Sequence, residues 1–286
     1  MADGDKITGV AAPMSLAMPA GLTWQDLCGV VRQWRGVAVR LENRNAIVYG
    51  AAGAIGGAVA RAYAGEGAKL FLAGRTLTTL DEVAADIRAR GGTATTARVD
   101  AMDKASVDAH ADHVAETAGS IDISFNAVAV AVVQDIPLTE ISLEDFLAPI
   151  TGICRTNFLT ATAAARHMTA QGSGVIVTLT ATSAKESRHQ MGGFSLACAS
   201  VEALTRSLAG EVGRQGVRVV GLRSNFTPET VPGVRDEDLQ QHFNDTLLGR
   251  LPRLAELAGT AVYLASPAAG AITGAMVNLS CGAIID

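Results

Sequence analysis

From Asn45 to the end of the chain, short apolar segments typical of β-strands alternate with longer segments of helical length. The segments with the strand pattern are Ala46–Tyr49, Lys69–Ala73, Thr95–Val99, Ile121–Asn126, Gly174–Leu179, Val217–Leu222 and Met276–Leu279. Repeated strand–helix–strand units build a parallel sheet with helices on both faces. We therefore predict an α/β fold with a doubly wound parallel sheet, in which ligands bind beyond the carboxyl ends of the strands.

The chain length fits one domain with an N-terminal extension better than it fits two domains, since single α/β domains routinely reach a comparable size. Residues 1–22 are rich in Ala, Gly, Met and Pro, and residues 23–35 carry apolar side chains, including Trp24 and Trp34, at helical spacing. We predict a partly disordered extension over residues 1–44 with one helix at about 23–35, followed by a domain over 45–286. That helix packs either on its own domain or over an active-site mouth or a subunit interface.

Charge and cysteine content exclude several classes of partner. The formal net charge is -5, and no basic run longer than a few residues occurs, which argues against nucleic acid and anionic membranes. No stretch has the roughly 18 uninterrupted apolar residues that span a bilayer. The four cysteines lie far apart without C-x-x-C spacing, which argues against a structural metal site and a disulfide framework. We predict a cytoplasmic protein that binds a small-molecule substrate and no metal.

A glycine-rich turn follows the first predicted strand and opens the first predicted helix. Its sequence is Ile47-Val48-Tyr49-Gly50-Ala51-Ala52-Gly53-Ala54-Ile55-Gly56-Gly57. This arrangement points backbone N–H groups and a helix N-terminus at an incoming pyrophosphate. It resembles the T-G-x-x-x-G-x-G pattern of the short-chain dehydrogenase/reductase superfamily, although Tyr49 replaces the threonine and Ala54 the middle glycine. The alternative is that the glycines serve strand–helix packing alone.

Further segments carry the same resemblance in the same order. Residues 125–128, Phe-Asn-Ala-Val, stand where the superfamily has N-N-A-G, and residues 272–274 and 279–282 resemble its I-T-G and D-G-G close. The resemblance covers residues 45–286 and implies a Rossmann-type fold, a nicotinamide cofactor and a homo-oligomer, either a dimer or a tetramer. It implies that the cofactor contacts Gly50, Gly53, Ile55, Gly56, Arg75, Asp100 and Asn126.

The residues at the end of the second predicted strand favour NADP(H) over NAD(H). An acidic side chain at the position of Gly74 would bond the adenosine ribose hydroxyls, and glycine offers none. Arg75 follows, and a guanidinium suits the additional 2′-phosphate of NADP. The alternative for Arg75 is an ordinary solvated surface arginine.

By resemblance, the reaction would use an Asn-Ser-Tyr-Lys tetrad. Counting along the chain places the four positions at Ile153, Ala181, Phe194 and Cys198. A phenyl ring neither gives nor takes a proton, and a neutral thiol cannot lower a neighbour's pKa as an ammonium does. We therefore predict a divergent member with an atypical active site. We expect Cys198 to be a small buried filler, and Asn157, one turn beyond Ile153, to lie on a helix surface or an interface.

Four polar residues near these positions are candidates for the missing catalytic roles. Thr180 and Thr182 flank the serine position, where a hydroxyl would still hold a substrate oxygen. Lys185 and His189 lie on the following loop, and a histidine that titrates near neutrality is suited to act as an acid or a base. For both loop residues the alternative is an ordinary exposed side chain.

Three functions fit this combination of frame and site. The first is an NADP(H)-dependent oxidoreductase whose substrate needs no proton donor from the protein, such as an iminium ion or a conjugated enone. The second is a non-redox enzyme on the same fold, such as a cyclase, isomerase or lyase. The third is a catalytically silent subunit that stabilises an active homologue. The sequence favours the first and leaves the other two open.

Overall fold

One parallel sheet forms the centre of the part of the chain that the computed structural model describes, residues 41–186 and 190–286. Its seven strands lie in the order β3-β2-β1-β4-β5-β6-β7. They are β1 (Asn45–Tyr49), β2 (Lys69–Gly74), β3 (Thr93–Arg98), β4 (Ile123–Asn126), β5 (Gly174–Ala181), β6 (Val217–Ser224) and β7 (Met276–Leu279). The strand order reverses between β1 and β4, and ligands of such sheets bind in the crevice that this reversal opens at the carboxyl ends.

Helices cover both faces of the sheet. They are α1 (Ala54–Gly65), α2 (Leu77–Ala89), α3 (Lys104–Ala118), α4 (Leu143–Gln171), α5 (Gly193–Val212), α6 (Gln240–Asn244) and α7 (Leu254–Ala265). Side-chain caps fix two of the helix starts. The Asp103 carboxylate accepts from the N–H groups of Ala105 and Ser106 before α3, and the Ser142 hydroxyl accepts from the Asp145 N–H before α4. The start of α1 has no such cap.

Two apolar layers hold the sheet between its helices. Along β1, Ile47 and Tyr49 pack into the layer with α3, α4 and α5, whereas Ala46 and Val48 pack into the layer with α1, α2 and α7. Every residue of β1 is buried, as expected for a central parallel strand that is covered on both faces. Burying a large apolar side chain contributes about 1.5–3 kcal/mol. The carboxyl edge of the sheet is therefore a well-anchored platform for a site.

This architecture confirms the predicted doubly wound parallel sheet, with strand ends that differ from the predicted ones by at most two residues. The differences at β5 and β6 matter, because both strands extend two residues further, to Ala181 and Ser224, and so reach the site. The predicted helix at 23–35 lies outside the described residues, and the extension over 1–44 stays a prediction. Within the described part, no helix is long and apolar enough to cross a membrane.

Candidate functional site

The turn after β1 brings two chain segments into close approach. Gly50 has φ +73°, a left-handed conformation that favours glycine, and its N–H donates to the Ala73 carbonyl at 2.8 Å. A Cβ on Gly50 would stand 2.5 Å from the Ala127 carbonyl oxygen. A Cβ on Gly56 would stand 2.3 Å from the Gly50 carbonyl oxygen. The turn therefore closes only with glycine at both positions.

The turn leads into α1, whose first N–H groups have no side-chain cap. Gly53 is the N-cap residue, with extended backbone, and the first turn of the helix carries no acidic residue. The Gly53 N–H donates to the Gly50 carbonyl at 3.0 Å, which holds the turn against the start of the helix. Uncapped N–H groups at the positive end of a helix dipole attract an anion such as a phosphate. The backbone alone therefore forms a fitting cradle for a pyrophosphate.

A cleft of about 810 Å³ opens at the carboxyl ends of β1, β2 and β3, and we call it the β1–β3 cleft. The predicted cofactor residues in its lining are Gly50, Gly53, Arg75 and Asp100. Arg75 is exposed and has no hydrogen-bond or ion-pair partner among residues 41–186 and 190–286. Asp100 accepts through Oδ1 from the Met102 N–H at 2.9 Å. The cleft thus joins an unpaired guanidinium to the glycine turn, as a phosphorylated adenosine requires.

A second cavity, of about 710 Å³, opens at the carboxyl ends of β4, β5 and β6, and we call it the β4–β6 cavity. Its lining includes all four predicted tetrad positions and two of the predicted cofactor residues: Ile153, Ala181, Phe194, Cys198, Ile55 and Asn126. Residues 127–130 line both the cleft and the cavity. Ile153 lies on α4, Ala181 ends β5, and Phe194 and Cys198 lie on α5. The fold therefore brings positions from three separate elements into one cavity.

The two threonine candidates lie in this cavity with their hydroxyl protons already used. The Thr180 hydroxyl donates to the Cys198 carbonyl at 3.1 Å, and the Thr182 hydroxyl donates to the Asn225 Oδ1 at 3.3 Å. Both side chains are buried, and both line the cavity. In this arrangement each threonine offers a ligand an oxygen lone pair rather than a proton.

The structure does not bring Lys185 together with the other candidates. Its Nζ forms an ion pair with the Asp286 carboxylate, and Lys185 is not part of the cavity lining. His189 lies outside the described residues, so its role as an acid or a base stays a prediction.

Asn126 shapes the loop that separates the cleft from the cavity. Its Nδ2 donates to the Thr160 hydroxyl at 2.9 Å, and its Oδ1 accepts from the Val128 N–H at 2.8 Å. Asn126 is buried at the end of β4. These two bonds fix the backbone of residues 127–128, which line both spaces.

The sulfur and metal chemistry of the site is limited. Cys198 is 2% exposed, and burial raises the pKa of its thiol, so the thiol is neutral at pH 7 and fits the predicted role of a buried filler. Among residues 41–186 and 190–286, no group of three or more His, Cys, Asp or Glu side chains is placed to hold a metal ion.

Comparison with known proteins identifies the family. The sequence model of the family described as enoyl-(acyl carrier protein) reductase matches residues 50–283. The chain belongs to the short-chain dehydrogenase/reductase superfamily. A curated superfamily member, the D-threitol dehydrogenase of Mycolicibacterium smegmatis, is 32% identical over 252 residues, which cover 85% of this chain and 94% of that protein.

Solved superfamily structures share the fold over almost their whole length. A gluconate 5-dehydrogenase from Burkholderia cenocepacia, in complex with NADP and tartrate, superimposes with a TM-score of 0.79 at 27% identity. The match covers 86% of this chain and 97% of that one. A short-chain type dehydrogenase/reductase from Mycobacterium marinum has a TM-score of 0.79 at 31% identity, covering 87% of this chain and 98% of that one. The chain is therefore an oxidoreductase-family protein by sequence and by fold.

Asn157 in this superfamily member is buried, and the predicted helix-surface or interface position was wrong. It is 6% exposed and lines the β4–β6 cavity. Its Nδ2 donates to the Ile153 carbonyl at 2.9 Å, whereas its Oδ1 has no hydrogen-bond partner in the described part of the chain. The reason is that α4 packs against the sheet and against both α3 and α5. Polarity does not identify the exposed face of α4, because Leu147 and Phe158 are exposed while Thr156 and Thr160 are buried.

Sequence analysis also missed the residues that the loops after β4, β5 and β6 contribute to the cavity. Aromatic and titratable side chains among them are Asp135, Glu186, Phe226, His242 and Asp245. The rings of Phe226 and His242 stack with centroids 5.6 Å apart. The signal that was available is their place after the carboxyl end of a strand, where short-chain dehydrogenases/reductases bind ligands. Loop spacing alone could not identify which side chains turn inward.

A buried ion-pair network stands directly behind the cavity wall. Arg223 on β6 is 2% exposed and donates to both carboxylate oxygens of Glu202 on α5, at 2.6 and 2.9 Å. It also donates to both oxygens of Asp286, at 2.6 and 2.7 Å. The chain neighbours Ser224 and Val201 line the cavity. The network therefore ties β6, α5 and the C-terminal segment together at the position of the wall.

Proposed function

We propose that this protein is an atypical NADP(H)-dependent reductase that transfers hydride to an iminium ion or a conjugated enone. The observation that carries the proposal is the lining of the β4–β6 cavity at Ile153, Ala181, Phe194 and Cys198. Three of these side chains are hydrocarbon, and the fourth is a thiol whose pKa burial raises. The chain therefore lacks the proton-transfer tetrad of its superfamily, and its substrate is one that needs none.

The β1–β3 cleft supports NADP(H) as the cofactor. We expect the uncapped start of α1 beyond Gly53 to bind the pyrophosphate and the unpaired Arg75 to bind the 2′-phosphate. Gly74 carries no carboxylate that would favour the free ribose hydroxyl. The Burkholderia relative was solved with NADP, which is consistent with this assignment. When bound, NADPH supplies the hydride for the reaction.

Both reactions balance in atoms and electrons without a proton donor at position 194. An iminium ion gains hydride at its carbon, the C=N π pair becomes the nitrogen lone pair, and NADPH is oxidised to NADP⁺. A conjugated enone gains hydride at its β carbon, the π electrons move to oxygen to give an enolate, and the α carbon later takes a proton from water. In both reactions the Phe194 ring forms part of an apolar wall that excludes water from the reacting carbon.

Titration with NADPH and NADH, followed by the emission of the reduced nicotinamide, tests the cofactor assignment. We expect a micromolar dissociation constant for NADPH and a weaker one for NADH. NADPH oxidation is then measured with cyclic iminium ions, conjugated enones and cyclohexanone. The ketone should react at least about 100-fold more slowly, because positioned general acids contribute about that factor. Absence of NADPH binding, or a ketone rate equal to the best iminium and enone rates, rejects the proposal.

The β4–β6 cavity also bears on the alternatives that the sequence left open. Its volume of about 710 Å³ lies within the range of small-molecule sites, which favours an active enzyme over a silent subunit. Turnover of a substrate without any nicotinamide would instead favour a cyclase, isomerase or lyase. We further propose a homo-oligomer, dimer or tetramer, in the cytoplasm, to be tested by sedimentation and by cell fractionation.

A further inference from the structure

The charged side chains that line the β4–β6 cavity, among the residues described, are all carboxylates. Asp135 lies beyond β4, Glu186 beyond β5, and Asp245 beyond α6. Lys185 is the chain neighbour of Glu186, but it is outside the lining and pairs with Asp286. Clefts with low-dielectric walls focus the field of their charges. Glu186 and Asp245 each have an interaction partner, so the field at the cavity depends mainly on Asp135, and its sign favours a positively charged ligand over a negatively charged one.

Asp135 is the carboxylate of this lining that is held in place without a counter-ion. Its side chain has no hydrogen-bond or ion-pair partner within residues 41–186 and 190–286. Its backbone has φ +63°, a left-handed conformation that Asp and Asn adopt more readily than most residues. Its N–H donates to the Gln190 carbonyl at 3.1 Å, which ties the loop after β4 to the loop after β5. Asp135 is thus an exposed carboxylate in the cavity lining, on a loop whose backbone is held by a hydrogen bond.

Asn157 supplies an independent observation of the same kind. Its Nδ2 is used by the Ile153 carbonyl, and its buried Oδ1 has no partner in the described chain, so its remaining capacity is that of an acceptor. This oxygen is closed to solvent, so a ligand N–H or O–H donor satisfies it only when the Asn157 side chain turns toward the cavity. Phe194 and Phe226 add aromatic surface, whose ring faces attract cations.

We propose that the β4–β6 cavity selects a cyclic iminium ion with an N–H group, and that Asp135 pairs with its positive charge. This inference rests on the proposed reductase function and narrows it to one of the two substrate classes. Hydride adds to the iminium carbon, the C=N π pair becomes the nitrogen lone pair, and NADPH is oxidised to NADP⁺. The amine then takes a proton from water and leaves as an ammonium ion. The ligand is cationic before and after the reaction, so one carboxylate serves both states.

Three ligands with one bicyclic skeleton separate charge from shape. Tetrahydroisoquinoline is an ammonium ion at pH 7, isochroman replaces its nitrogen with oxygen, and tetrahydronaphthoate is an anion. Each is titrated by calorimetry into the protein with saturating NADPH and into the protein without nucleotide. None of the three is reducible by hydride, so binding is measured apart from turnover. We expect the ammonium ion to bind at least about tenfold tighter than isochroman, and the anion to bind most weakly.

Variants of Asp135 test whether this side chain causes the preference for the ammonium ion over isochroman. Asp135→Asn keeps the side-chain shape and tolerates the same φ, and we expect it to lose about tenfold in affinity for the ammonium ion while isochroman binding is unchanged. Asp135→Glu should restore part of the preference. Glu116→Gln, an exposed carboxylate on α3, changes the net charge equally and should behave as wild type. Salt at about 0.5 M should shrink the wild-type preference without any substitution.

The outcomes separate this inference from the proposed function. Equal affinity of the ammonium ion and isochroman overturns the inference, and so does an Asp135→Asn variant that is folded by circular dichroism and keeps the full preference. If the preference holds but no iminium ion is reduced, the cation site stands and the reductase proposal fails. If the bicyclic enone octalone is reduced while the ammonium ion gains nothing over isochroman, the reductase stands and the cation site is rejected.

Discussion

The β1–β3 cleft and the β4–β6 cavity open at the same edge of one sheet and share residues 127–130, yet they are built on different principles. In the cleft, the contacts expected for a phosphate come from a glycine turn at Gly50 and from the uncapped N–H groups of α1. In the cavity, every contact depends on which side chain occupies a position. A backbone site tolerates the exchange of side chains outside its glycine turn, whereas a side-chain site changes its chemistry with each exchange. We propose that this difference lets the chain keep its superfamily's frame with a different reaction chemistry.

Among changes to the side chains of the cavity wall, removal of the Glu202 carboxylate should have the largest effect on stability. Glu202→Ala removes one of the two carboxylates that pair with the buried Arg223 and leaves Asp286 alone to balance its charge, and we expect the free energy of unfolding to fall by about 3 kcal/mol. Urea denaturation measures the loss. Lys104→Ala is the control, because its exposed pair with Asp108 should contribute less than about 0.5 kcal/mol. Equal losses in the two variants would show that the cavity wall does not depend on its buried ion pair.

Among changes to the backbone of the β1–β3 cleft, a methyl group in the glycine turn should have the largest effect on NADPH affinity. Gly56→Ala places a Cβ 2.3 Å from the Gly50 carbonyl oxygen, so the turn must shift. Overpacking of this kind costs about 1–3 kcal/mol, and we expect NADPH affinity to fall by about tenfold to 100-fold. Gly65→Ala is a matched control at the other end of α1, where a Cβ meets nothing within 4 Å. Unchanged NADPH affinity in Gly56→Ala would mean that the cleft does not bind the cofactor through this turn.

Most of the fold could be predicted from the sequence, and candidate positions for part of the site could be proposed from it, because both depend on local patterns. Buried parallel strands are continuous apolar runs, and the glycine turn places its requirements on neighbouring residues. The tetrad positions were predicted by counting, since the distance along the chain from Phe194 back to Ala181 is set by one loop and two element ends. These features needed no knowledge of which distant segments meet.

The remainder depends on contacts between distant segments. Arg223 and Glu202 lie on different elements, and the sequence of neither segment alone predicts a buried ion pair. Asn157 lies on a helix whose buried face carries polar residues and whose exposed face carries Leu147 and Phe158, so helical periodicity does not identify its inward face. Asp135 lies in a loop, where no periodicity exists to predict the direction of a side chain. The cavity is therefore the part of the molecule that sequence analysis describes least.

Replacement of Arg75 tests the one side chain on which cofactor choice in the cleft depends. Arg75→Ala removes a charge-assisted contact to a 2′-phosphate, and we expect NADPH affinity to fall by about tenfold while NADH affinity stays constant. Fluorescence titration with both nucleotides measures the ratio. Arg98→Ala, an exposed arginine at the end of β3 outside the cleft lining, is the control for general charge effects. An equal loss for both nucleotides would assign Arg75 to the shared part of the cofactor.

The smallest effect is expected at Phe194, where a reaction that used the superfamily's tetrad would show the largest. Phe194→Tyr places a phenol at the predicted tyrosine position of the tetrad, but Cys198 beside it stays a neutral thiol and cannot lower the phenol's pKa. If the substrate needs no proton, kcat for a cyclic iminium ion should change by less than about threefold, because general-acid catalysis has nothing to add. Phe194→Leu is the companion variant, since it removes the aromatic face and should raise KM with little change in kcat. A large gain of ketone reduction in Phe194→Tyr would show that another group in the cavity, such as the hydroxyl of Thr180 or Thr182, still completes an acid relay. In that case the difference between the cleft and the cavity would be one of a single missing phenol and not of a replaced chemistry.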